Sequence, residues 1–115
     1  IQHPPLTWLA SKQKRLIDAP KFERMIAKYG AEIVLHGHNH TDSVVYADGP
    51  NSSKIPVVGV PSASSLGHKD RPPAQYNLLQ ISSNTDDKSV HMRSRRLDPQ
   101  SGSFVDLTTR TLIPV

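Results

Sequence analysis

The sequence predicts an α+β fold in which one main helix accompanies a mixed or antiparallel sheet. Three observations point there: a single stretch with the 3.6-residue apolar period, five to seven short β-forming runs, and turn-rich segments that space most of those runs as hairpins. With 115 residues, 36% hydrophobic and 21% charged, the chain has ordinary globular content and enough length for one core. Aromatic residues make up only 5%, so that core has to rest on Ile, Val and Leu.

The opening "IQHPPLTWL" reads as the end of a buried strand running into a loop, because Pro4 and Pro5 cannot donate to a ladder. It has no Met and no polar lead-in, and the expectation is a chain that continues something longer. The helix follows over residues 19–29. Phe22, Met25, Ile26 and Tyr29 form an i, i+3, i+4, i+7 stripe, while Lys21, Glu23, Arg24 and Lys28 take the other face. Asp18 is the expected N-cap, Pro20 suits the first turn, and Gly30 is the expected stop. A short buried strand at residues 33–35 comes next. "SVVYAD" and "KIPVVGVP" read as a hairpin around "GPNSS", and "QYNLLQIS" and "SVHMRSRRL" as a second pair around "SNTDDK". Between them runs the loop "SASSLGHKDRPPA", and "FVDLTTRTLIPV" closes the chain as an edge strand or tail. One helix is too little to cover both faces of so many strands, so a partner layer is expected from outside this chain.

Composition narrows the chemistry. The formal charge of +4 and pI near 9.6 suit an anionic partner only weakly. Without cysteine there is neither a disulfide framework nor a thiolate metal site, so any metal must be held by His, Asp, Glu, Asn or Gln. No apolar run approaches the roughly 20 residues of a membrane helix, and no basic-then-apolar leader is present. No membrane partner is expected, and the expected location is the cytoplasm.

The densest chemical signal is "IVLHGHNH", residues 33–40, which sets three histidines into five positions directly after an apolar strand. Imidazole is a preferred nitrogen ligand for Zn, Mn, Fe and Ni. The C-terminal edge of a sheet is where ligands commonly bind in α/β architectures. Gly37, having no Cβ, is expected to let the backbone bend toward an ion. His38 and His40 are the expected ligands, and His36 is expected to support them from behind rather than ligate. The bland reading is a surface loop whose histidines cap or hydrogen bond. The substring "HNH" has no bearing on the nucleases of that name, whose defining residues lie far apart in sequence.

Gly37-His38-Asn39-His40 resembles the GHxH motif of the calcineurin-like metallophosphoesterases, and it follows a strand as that motif does. "QHPP" at the start resembles the family's HHPP motif, which lies upstream across a helix, and "VVGVPSASS" and "PPAQYNLLQI" are similar to segments that follow GHxH in bacterial phosphodiesterase-like members. The resemblance covers essentially the whole chain. It implies the C-terminal half of a single-domain, four-layer αββα sandwich and hydrolysis of phosphomono- or phosphodiesters at a dinuclear metal centre of Mn, Fe, Zn or Ni. By position, His38 and His40 would be metal ligands. The HHPP ligand is ordinarily the first histidine, where this chain has Gln2; either His3 takes over or the Gln2 amide serves as the alternative. The family's Asp-x-His, Gly-Asp and Gly-Asn-His motifs have no counterpart here. Without their bridging carboxylate two dications would face uncompensated repulsion, so the chain alone is expected to be inactive and to need the missing N-terminal half.

His68, with Lys69 or Arg71, is a candidate contact to a substrate phosphate, against the plainer reading of a charged loop. In "HMRSRR", His91, Arg93 and Arg95 fall on one strand face and Met92, Ser94 and Arg96 on the other. A nucleic-acid stripe needs only clustered cations, but no aromatic residues interleave for stacking, so a solvated face is favoured. Asp42 and Asp48 suit turn capping better than ligation. Residues 62–65 form no nucleophile elbow, no glycine-rich phosphate loop is present, and the catalytic residues stay unknown. Two other functions compete with the esterase: a non-catalytic sheet module that pairs with another chain or with its own copy, and a weak basic nucleic-acid binder.

Overall fold

The computed structural model describes residues 1–68, 71–83 and 88–114. The architecture is α+β, with one helix and two three-stranded sheets among the described residues. The chain divides into two compact units, Ile1–Val60 and Pro61–Val115.

In the first unit the helix α1 spans Ala19–Tyr29, as its period predicts. Pro20 sits in the first turn, and Gly30, at φ 82°, ends the helix with its N–H on the Ile26 carbonyl. That left-handed φ is open to glycine at little cost. Asp18 occupies the N-cap position but makes no side-chain cap; the Phe22 N–H bonds to its carbonyl instead. The buried face is rotated from the expected stripe. Ile26 is 3% exposed and Ala19 fully buried, whereas Met25 is 50% and Tyr29 73% exposed. Phe22 is half-buried against the core.

Three strands follow: β1 Val34–His36, β2 Ser43–Asp48 and β3 Lys54–Gly59, in the order β1-β3-β2. β1 runs parallel to β3, and β2 antiparallel to it, so the sheet is mixed. β1 begins one residue later than predicted and takes His36 into the strand. The β2–β3 hairpin closes through a single 3-10 turn, Pro50–Ser52, with the Gly49 N–H on the Ser53 carbonyl. Val34, Val57 and Val45 share one row and one sheet face with Ile55 and Ala47, and with Leu6 and Ile26 they form the core. At about 25 cal/mol per Å² of apolar area, such β-branched residues each contribute roughly 1.5–3 kcal/mol on burial. The same face ends in a polar row, His36, Gly59 and Ser43.

The loop before α1 is tied down by its own polar groups. Leu16 N–H donates to the Pro4 carbonyl, Arg15 Nη1 to the Thr7 carbonyl, and Thr7 N–H to the Glu23 carboxylate. These bonds anchor a segment in which Pro4, Pro5 and Leu6 are all buried, Leu6 within the core.

The second unit holds the other sheet, a meander of β4 Gln75–Ser83, β5 Lys88–Asp98 and β6 Ser103–Ile113, all antiparallel, with β6 at one edge. Val90, Met92 and Ser94 are buried and His91 and Arg93 exposed, the alternation expected of this strand. Register shifts at Val90/His91 and Ser94/Arg95 interrupt the β5–β6 ladder. No helix among the described residues is long and apolar enough to cross a membrane.

Candidate metal centre

β1 delivers His36 at its end, and the chain turns at once. Asn39 N–H donates to the Gly37 carbonyl at 2.8 Å, two residues back, and His38 between them has φ 69°. That combination is a γ-turn of the rarer, positive-φ kind. His40 is also left-handed, at φ 54°. A non-glycine residue held there costs of order 1–2 kcal/mol, and such outliers concentrate at functional loops. Gly37 is not where the bend occurs. Its φ is not positive, and a Cβ added to it would meet only the Gln2 carbonyl, at 3.8 Å. The expectation that Gly37 supplies the flexibility is therefore corrected: the strain is carried by the histidines themselves.

Residues 1–3 lie alongside β1. The Ile1 amino group donates to the Leu35 carbonyl at 2.8 Å, and Gly37 N–H to the Gln2 carbonyl at 3.2 Å. This pairing carries His3 to the γ-turn, where its ring centroid is 4.3 Å from that of His38, with the planes tilted by 44°. A metal–nitrogen bond of about 2.1 Å puts each ring centroid about 3.2 Å from a shared ion, so two ligands at a tetrahedral angle have centroids about 5 Å apart. The observed pair is within an ångström or so of that arrangement. His3 is half-buried, His38 exposed and His40 half-buried. Gln2 is exposed, and its main-chain carbonyl is committed to Gly37. Among the described residues no group of three or more His, Cys, Asp or Glu gathers to hold an ion. The structure thus brings His3 to His38 and does not gather His40 with them.

His36 stands behind the turn and is 5% exposed. Its Nδ1 lies 3.3 Å from the Gly37 carbonyl, and its Nε2 has no partner. Burial lowers its pKa, and the hydrogen bond to the Gly37 carbonyl opposes that. The ring is therefore held neutral.

The remaining predicted residues lie elsewhere. His68 is exposed in the second unit, where its backbone pairs with Arg71 in both directions at 3.2 and 3.0 Å; Lys69 lies outside the described residues. Asp48 pairs with Lys54 across the hairpin. On β5, Arg93 makes a two-pronged contact to Asp106 at 3.0 Å for each bond, Arg95 reaches the same carboxylate at 3.3 Å, and His91 meets Thr111 at 3.0 Å. Much of the suspected cationic stripe is thus matched by a strand neighbour.

Two features have no signal in the sequence. One is the Ser43–Gly59–His36 row, which depends on strand register. The other is a groove of about 420 Å³ lined by Trp8, Arg24, Tyr46 and Lys54 among others, near the end of β2 and start of β3, away from the histidine loop. Compared with protein-family models, curated proteins and solved structures, the chain matches none of them.

Proposed function

We propose that residues 1–3 and 36–40 form one side of a dinuclear metal centre in a phosphoesterase of the calcineurin-like kind, acting on phosphomono- or phosphodiesters. The observation that carries this reading is the convergence of His3 with His38 beyond the end of β1, on a backbone strained at His38. Positive φ also occurs at Asn51 and Ser52 in the β2–β3 turn, so it is the pairing of a strained His38 with a converging His3 ring that supports a loop built to aim imidazoles. His3, His38 and His40 would hold Mn, Fe, Zn or Ni, and a bound pair would supply charge for displacement at phosphorus. The chain's own residues do the positioning: the strand-like pairing of residues 1–3 fixes His3, and the γ-turn fixes His38. In this reading the bridging carboxylate comes from an N-terminal half of the domain, which together with this chain completes the four-layer sandwich.

Zn²⁺ titration followed by histidine ring NMR tests the reading. The ring signals of His3 and His38 are expected to move together with one midpoint, and either His3→Ala or His38→Ala should weaken that midpoint by about tenfold or more. His91, engaged with Thr111, should not move. Separate midpoints for His3 and His38, or no shift at all, would sink the proposal. The chain alone should not hydrolyse bis-p-nitrophenyl phosphate above the background of the metal.

A further inference from the structure

The polar row at the end of the first sheet contains two buried atoms without partners, His36 Nε2 and Ser43 Oγ. Both flank Gly59, which pairs with His36 on one side and Ser43 on the other. A Cβ placed on Gly59 would lie 2.8 Å from His36 Cε1, 3.0 Å from His36 Nε2 and 2.7 Å from Ser43 Oγ. The two orphaned atoms are thus no further apart than the sum of those last two distances. A direct hydrogen bond after rotation about the serine χ1, or one bridging water reaching about 5.5–6 Å, spans that gap.

Leaving both atoms bare in a buried site costs about 1–3 kcal/mol each, which favours their pairing. Their chemistry fixes its direction. The Gly37 carbonyl can only accept, so the His36 nitrogen 3.3 Å from it, Nδ1, carries the proton when they bond. Nε2 then holds a lone pair and needs a donor, and the Ser43 hydroxyl is one. The same Gly37 carbonyl also receives the Asn39 N–H that closes the γ-turn around His38.

We propose that Ser43 and His36 form a buried relay across Gly59, in which the Ser43 hydroxyl donates to His36 Nε2 and His36 Nδ1–H holds the Gly37 carbonyl, fixing the turn that presents His38. Ser43 and His36 are positioning residues; neither touches an ion. Gly59 is required because any side chain there would occupy the space the relay needs. The effect on metal binding rests on the metal-centre reading, whereas the relay itself does not.

The test uses the whole metal-free chain first. Long-range proton–nitrogen correlation spectra should find His36 protonated on Nδ1, with Nε2 as acceptor. Ser43→Ala should populate the other tautomer, and Ser43→Thr, which keeps the hydroxyl, should restore the first. A wild-type His36 protonated on Nε2, or a tautomer indifferent to Ser43→Ala, overturns the relay. In a second arm, Zn²⁺ affinity at His3 and His38 should fall by about tenfold in Ser43→Ala and recover in Ser43→Thr, with sheet amide signals unchanged. An unchanged affinity in Ser43→Ala overturns the link between relay and turn. Absence of Zn²⁺ binding in the wild-type chain overturns the metal reading instead, and the tautomer still decides the relay.

Discussion

His36 shows how a single burial decision reaches the stability of the molecule. Its folded pKa is lowered, first by loss of solvent, so the folded chain refuses a proton that the unfolded chain accepts near the ordinary histidine value of about 6.5. Its contribution is therefore fully present above that value and is lost as pH falls from it toward the lowered folded value, at up to about 1.4 kcal/mol per pH unit for one proton. In metal-free protein, urea midpoints at about pH 7.5 and about pH 5.5 should differ more for the wild type than for His36→Gln. Equal differences would mean that burial of this ring does not penalise its charge. The location of His38 and His40 was legible from the sequence, because the apolar run before "HGHNH" reads as a strand entering a polar loop, whereas His36 proved to belong to the strand itself. Their grouping was not. His3 meets His38 through main-chain bonds from Ile1 and to Gln2, and such bonds leave no trace in side-chain identity.

At the level of elements the helix bounds were legible because Pro20 and Gly30 act on the backbone directly, whatever the helix packs against. Its orientation was not, since periodicity defines an apolar stripe without saying which side of it the sheet receives. Leu6 and Leu9, from the segment before the helix, pack on the same core as Ile26, while Met25 and Tyr29 stay exposed. Lys28 instead lies over the exposed Tyr29 ring at 4.9 Å, a cation–π contact in solvent. Ile26→Ala should consequently cost about 2–5 kcal/mol, whereas Met25→Ala should stay within about 0.5 kcal/mol, both read from urea midpoints at constant m-value. Comparable losses in the two variants would restore the stripe that the sequence suggests. Strand pairing was more legible than helix orientation. Period-two alternation in β5 distinguishes Val90, Met92 and Ser94 from His91 and Arg93, while the bulges that bring Arg93 and Arg95 to one Asp106 carboxylate depend on the ladder alone.

For the whole molecule, the chain divides at Val60 and Pro61 into two compact units, a division that carries no signal in the sequence. A serine- and proline-rich loop between hairpins looks the same whether it lies within a domain or leads into a separate compact unit. That loop exposes Ala63 and Ser64, and Leu66 is 75% exposed. Brief digestion with chymotrypsin should accordingly cut after Leu66 and the exposed Trp8 before any bond within the strands, read by mass spectrometry, because exposed loops are the usual sites of nicking. First cleavage after Leu35 or Tyr46 would contradict the described fold, as those bonds belong to the ladders of the first sheet.

Trp8, at the mouth of the groove beside α1, is the chain's sole tryptophan, and it belongs to the first unit. Its fluorescence is therefore a built-in reporter with a known address. Red-edge excitation silences Tyr76 of the second unit along with the other tyrosines, so a melting curve or metal titration followed by emission describes the unit that carries His3, His36, His38 and His40 alone, without a label.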